Sequence, residues 1–130
     1  MTPEIPTDRP TYESEIARYW FDDNGFLVSL SKHTTRTVDN ITTNVALIKN
    51  ITKNKPVPLL IYLTNSPVPD KRTRQFSAEQ VPKIYSAMAM VANSGLSKLI
   101  MNMVFGFKKP PIPMRSFTNQ KEAIDWLKQH

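Results

Sequence analysis

Asn24-Gly25, closing the polar run Asp22-Asp23-Asn24-Gly25, lies between two strand-like segments. Both residues tolerate the positive φ of a tight turn, and this dipeptide between alternating runs is the strongest short-range signal for a β-hairpin. Before it, Ile16-Ala17-Arg18-Tyr19-Trp20-Phe21 is aromatic-rich and partly alternating. After it, Phe26, Val28 and Leu30 share one face while Ser29 and Ser31 share the other. The start of the chain is thereby committed to a sheet.

Helix and strand periods then alternate. Val38, Ile41, Val45, Ile48 and Ile51 recur at steps of three and four, which predicts a helix between Thr37 and Asn54. Lys49, Lys53 and Lys55 suit its C-terminus, and Pro56 stops it. Val57 to Leu63 is a nearly continuous apolar run, as in a strand buried on both faces, with Pro58 confined to its first positions. Asn65 to Gln75 reads as a loop. Ser77 with Gln80 forms a capping box and Phe76 with Val81 a hydrophobic staple, or else the next helix starts at Pro82. Its apolar face is Ile84, Tyr85, Met88, Val91 and Ala92, ending at Asn93-Ser94-Gly95.

Leu96 to Phe107 predicts an interior strand, and Lys108 to Pro113 a proline-stiffened connection. Met114 to Phe117 adds a short strand. Thr118 or Asn119 caps a last helix burying Ala123, Ile124, Trp126 and Leu127. The order β-β-α-β-α-β-(β)-α predicts one α/β domain with a mixed sheet: an N-terminal hairpin, parallel later strands, and helices packed on the sheet. Residues 1–11 form a flexible Pro-rich arm, and 12–130 the domain.

Composition narrows the chemistry. With 130 residues, 40% apolar and 22% charged, the chain can bury one real core. It has no cysteine, which removes a disulfide framework, a thiol nucleophile and cysteine-ligated metal sites. The Pro-rich start has no apolar run of a signal peptide, and no stretch approaches a membrane span. The expected compartment is the cytoplasm, which makes the sequons at Asn40 and Asn50 fortuitous. His33 and His130 have no metal-ligand spacing, and there is no Gly-rich phosphate loop or nucleophile elbow. No enzyme, metal or cofactor is expected.

The informative charges are positional. In open α/β sheets ligands favour the crevice at the carboxyl ends of the strands. The segment after the third expected strand holds Asp70, Lys71, Arg72 and Arg74; that after the fourth holds Lys108, Lys109 and Arg115. A basic edge formed by these two loops would bind an anionic small molecule or an acidic protein partner. The candidate ligand-binding residues are Arg74, Lys71, Arg72 and Arg115, with Asn102 beneath. Arginine suits this role because its planar fork holds an oxoanion bidentately. Nucleic acid is not expected, since neither loop interleaves aromatics with its cations. Met88, Met90, Met101 and Met103 suggest either an adaptable surface or core packing, and core is favoured. Tyr19 and Trp20 fit a dimer contact or the core equally well.

The element order, with Tyr19-Trp20-Phe21, Val57-Pro58-Leu59-Leu60, Asn102, Lys109-Pro110-Pro111-Ile112-Pro113 and the closing Phe117…Ala123…Trp126-Leu127, resembles the STAS-like (SpoIIAA-like) anti-sigma-factor-antagonist fold. Within it, the chain resembles a bacterial family of uncharacterised single-domain proteins over about residues 16–128. Relatives of that fold carry a phosphorylatable Ser or Thr at the start of the helix after the central strand. Ser77 and Thr73 are the positions the resemblance implies, although the segment here is longer and basic. The resemblance therefore implies a non-enzymatic binding or regulatory module, a homodimer by expectation. The alternatives are an antagonist-type partner switch controlled by Ser/Thr phosphorylation, and an enzyme of another kind.

Overall fold

The computed structural model describes residues 3–64, 67–92 and 110–130. The described strands form one six-stranded sheet in sequential order: β1 (Tyr12–Glu13), β2 (Ala17–Phe21), β3 (Leu27–Ser31), β4 (Val57–Tyr62), β5 (Tyr85–Val91) and β6 (Met114–Phe117). The first three pair antiparallel, and β3 through β6 pair parallel, so the mixed sheet expected from the sequence is present. The helices are α1 (Val38–Ile51), α2 (Lys71–Ile84) and α3 (Gln120–Leu127).

Two apolar clusters show how the sheet is covered. On one face α1 and α2 bring Ile41, Val45, Ile48, Val81 and Ile84 against Tyr19, Leu27, Leu59, Ile61, Met88 and Met90. On the other, Ala123 and Leu127 of α3 meet Trp20, Val28, Leu60, Ala87, Ala89 and Val91. Alternation along β2 therefore sends Tyr19 and Trp20 to opposite faces, and both are core residues. Met88 and Met90 are core residues too; Met101 and Met103 lie outside the described residues.

The hairpin forms where the sequence places it, with a larger turn. Phe21 pairs with Leu27, leaving five residues between the strands. The Asp22 carboxylate organises them, accepting from the Asn24 and Phe26 amides at 2.9 Å each. Gly25 alone takes positive φ there, at 80°. Arg9 fastens the N-terminal arm onto this turn, donating to the Phe21 carbonyl and the Asp23 carboxylate.

α1 follows its periodicity. Thr37 caps it, its hydroxyl accepting from the Asn40 amide while its own amide donates to Oδ1 of Asn40. Its end is closed by the Asn54 amide donating to the Lys49 carbonyl, with Lys53 and Asn54 in the left-handed region. That is the Schellman arrangement, made here without glycine.

The largest departure from expectation lies between 65 and 92. Asp70, Lys71, Arg72, Thr73 and Arg74 belong to no loop: Asp70 caps α2, its carboxylate accepting from the Thr73 amide at 2.8 Å. Pro69 biases Val68 away from helical backbone, so the helix starts as soon as the prolines end. Ser77 and Gln80 therefore lie inside α2, and the expected capping box, staple and start at Pro82 are not formed. Pro82 sits in the last turn, where one missing hydrogen bond is tolerated, and the helix ends two residues later. Tyr85 to Val91 is strand, not helix, because an interior strand is apolar on both faces and only Ser86 is exposed. Gly95 and the expected strand at 96–107 lie outside the described residues.

The junction of β4 and β5 carries an irregularity. Val57 pairs with Tyr85 but Pro58 pairs with Ala87, leaving Ser86 as an extra residue. A bulge accommodates the missing N–H of Pro58. It also resets the alternation: Tyr85 joins Met88 and Met90 on the α1/α2 face, instead of joining Ala87 and Ala89 on the α3 face.

Candidate functional site

In each β-strand-to-helix connection, the helix N-terminus lies at the carboxyl end of the strand before it. The start of α1, after β3, and the start of α2, after β4, therefore share one edge of the sheet. Lys71, Arg72 and Arg74 all fall in the first turn of α2, which contains no acidic residue beyond its cap. Lys71 and Arg72 are exposed. Arg74 is half-buried and donates from Nη1 to the Pro69 carbonyl at 2.6 Å, bracing the chain that enters the helix. Hydrogen bonds from the Thr73 side chain and the Thr73 amide hold the Asp70 carboxyl below its usual range, so the cap stays ionised.

Arg115 is placed elsewhere. It lies on β6, not in a loop, and shares a strand face with Phe117, its guanidinium 5.4 Å from the centre of that ring. Phe117 belongs to the α3 face, so Arg115 and the cations of α2 stand on opposite sides of the sheet. Asn102, Lys108 and Lys109 lie outside the described residues. Of the ligand-binding candidates among the described residues, the structure brings together Lys71, Arg72 and Arg74. Thr73 is buried at 7% exposure within the same turn, while Ser77 is half-buried one turn further along.

Sequence reasoning missed a second feature. Under α1 and α2 lies a cavity of about 60 Å³, and its lining includes Tyr19, Ser29, Arg36, Asn44, Ser77, Gln80 and Tyr85. The Tyr19 hydroxyl donates to Oδ1 of Asn44 at 2.9 Å, and the same oxygen accepts from Ser14 Oγ at 2.7 Å. Burial raises the Tyr19 phenol, opposed by the Asn44 bond and by the nearby Arg36 charge. Burial also pushes Tyr85 well up, and the neighbouring Tyr19 adds to the shift. Both phenols are thus neutral donors near pH 7. Tyr19 is legible in sequence as a strand aromatic, but its role depends on Asn44. Tyr85 depends on the bulge, which no local pattern announces.

Among the described residues no cluster of three or more His, Asp or Glu could hold a metal. His130 packs against Trp126, ring centroids 4.3 Å apart and the rings tilted by 41°. No described helix is long and apolar enough to cross a membrane.

Fold and surroundings define an α/β domain whose mixed sheet is covered on both faces, with a cationic helix start at the carboxyl edge. The chain belongs to the family described as "Domain of unknown function (DUF7793)", which matches residues 19–130. No curated protein and no solved structure matches it.

Proposed function

We propose that this domain is a non-enzymatic binding module of the STAS-like kind, recognising an anionic ligand or an acidic partner at the carboxyl edge of its parallel strands. The observation that carries this reading is the first turn of α2. Three cations occupy a helix start whose dipole is already positive, an arrangement that costs helix stability and favours an arriving anion. Lys71 and Arg72 are the contacting groups, and Arg74 positions the turn through Pro69. Arg36, entering α1 at the same edge, adds to the positive field. Burial of Thr73 lends no support to a phosphorylation switch there.

The test is a thermal-shift screen with nucleotides, sugar phosphates, anionic lipid vesicles and polyanions, repeated on the Lys71→Ala/Arg72→Ala double variant. A ligand at about a hundred times its dissociation constant adds ~2.7 kcal/mol, a rise of several degrees for a small domain. A shift lost in the double variant supports the reading. A shift that persists there relocates the site, and no shift with any anion leaves an acidic protein partner as the occupant to pursue.

A further inference from the structure

We infer that the cavity under α1 and α2 is a subsite for a small oxoanion group, a carboxylate or a phosphate, held by Arg36 with Ser77 and Gln80. The inference rests on the anion-binding reading above and gives it a second location, a cleft between the helices and the sheet. Three observations carry it. First, the cavity has the right size: on the scale of its 60 Å³ a single water takes roughly 10–15 Å³, which leaves room for about four to six water-sized groups. That is the bulk of an oxoanion, and far less than that of a nucleotide.

Second, three of its polar groups are uncommitted. Arg36 is half-buried, yet makes no hydrogen bond or ion pair among the described residues, and neither do the Ser77 and Gln80 side chains. A cation drawn partly out of water without a partner is unfavourable, and an entering anion removes that cost. Asn44, in contrast, has both lone pairs of its oxygen engaged by Tyr19 and Ser14, which holds the cavity wall in one geometry.

Third, the rest of the polar wall is held in place by its own hydrogen bonds. Tyr19, Ser29 and Tyr85 are each less than a tenth exposed, and the Tyr85 hydroxyl, brought to this face because Ser86 interrupts the strand alternation, is hydrogen-bonded to Tyr19. No carboxylate lines the cavity, so nothing competes with an incoming oxoanion for Arg36. A guanidinium, a hydroxyl and an amide on a wall otherwise largely aliphatic recognise an acceptor-rich, negatively charged group.

The experiment is a two-dimensional NMR titration of the intact chain with inorganic phosphate and, separately, with acetate. Saturable shifts are expected at the Asn44 side-chain amide and at the Ser77 and Gln80 backbone amides. Which probe saturates first identifies the oxoanion. Arg36→Gln should weaken binding about tenfold or more, and Ser77→Ala several-fold, with both variants retaining the wild-type fold by circular dichroism. Lys71→Ala/Arg72→Ala should leave the dissociation constant within about twofold, since those residues do not line the cavity. Shifts that fail to saturate with either probe, or that survive Arg36→Gln unchanged, overturn the subsite. Shifts confined to the first turn of α2 and abolished only by the double variant overturn it while sustaining the edge. Cavity binding without any polyanion binding at the edge sustains the subsite and removes Lys71 and Arg72 from the account.

Discussion

The Tyr19 hydroxyl and Oδ1 of Asn44 lie 2.9 Å apart, tying the centre of β2 to α1 across the buried face of the sheet. Because Ser14 Oγ reaches the same oxygen at 2.7 Å, the two partners are not equivalent. Tyr19→Phe leaves Asn44 with one donor and should cost about 1 kcal/mol. Asn44→Ala strands both hydroxyls and opens space, and should cost about 2–3 kcal/mol. Urea unfolding of both variants measures the difference; equal losses would mean that the Ser14 bond contributes nothing.

Alkaline pH should unfold the protein. Burial raises Tyr19 and Tyr85, and pushes Tyr62 up to about 12 with help from the Asp22 charge. A phenol whose folded pKa is raised favours the folded state fully below the unfolded value near 10, and that contribution disappears as pH climbs through the folded value. Stability should therefore fall from about pH 10 to pH 12. In a near-ultraviolet titration most tyrosine absorbance should appear together with the loss of helical circular dichroism. Ionisation of these phenols in a fully folded chain would refute their burial.

Lys53 closes α1 with φ at 56°, a conformation that costs a side-chain-bearing residue roughly 1 kcal/mol or more. Lys53→Gly should raise the melting temperature by a few degrees, because the Asn54 to Lys49 closure needs that conformation. A lower melting temperature would show that α1 ends differently in solution.

The cations of α2 should separate by sign. Lys71→Ala/Arg72→Ala removes exposed positive charge from a helix start and should raise thermal stability slightly at low salt. Arg74→Ala removes the bond to the Pro69 carbonyl and should lower it. If all three substitutions destabilise, the turn is structural and its charge needs no ligand.

How far these features are legible in the sequence depends on whether a local period determines them. The hairpin and α1 are legible because one face of each differs sharply from the other. Met114–Phe117 and the Asn119-capped last helix are legible for similar reasons. Tyr85 to Val91 is not: an interior strand is apolar at nearly every position, so Ile84, Tyr85, Met88 and Val91 also fit a helical stripe. That ambiguity pushes the expected helix too far along the chain and turns Lys71 to Arg74 into a loop. Asp70, three residues before Thr73 and just after Pro69, is the capping signal that places α2 correctly. Tyr85, Asn44 and Arg36 meet only through the bulge and the helix packing, which makes their cavity a tertiary feature.

The central claim is that the start of α2 recognises an anion, and calorimetric titration with inorganic tripolyphosphate tests it most directly. The wild-type chain should bind saturably, more weakly as salt is raised, and the Lys71→Ala/Arg72→Ala variant should show no measurable heat of binding. Equal binding by wild type and variant would contradict the claim and place the anion site elsewhere on the molecule.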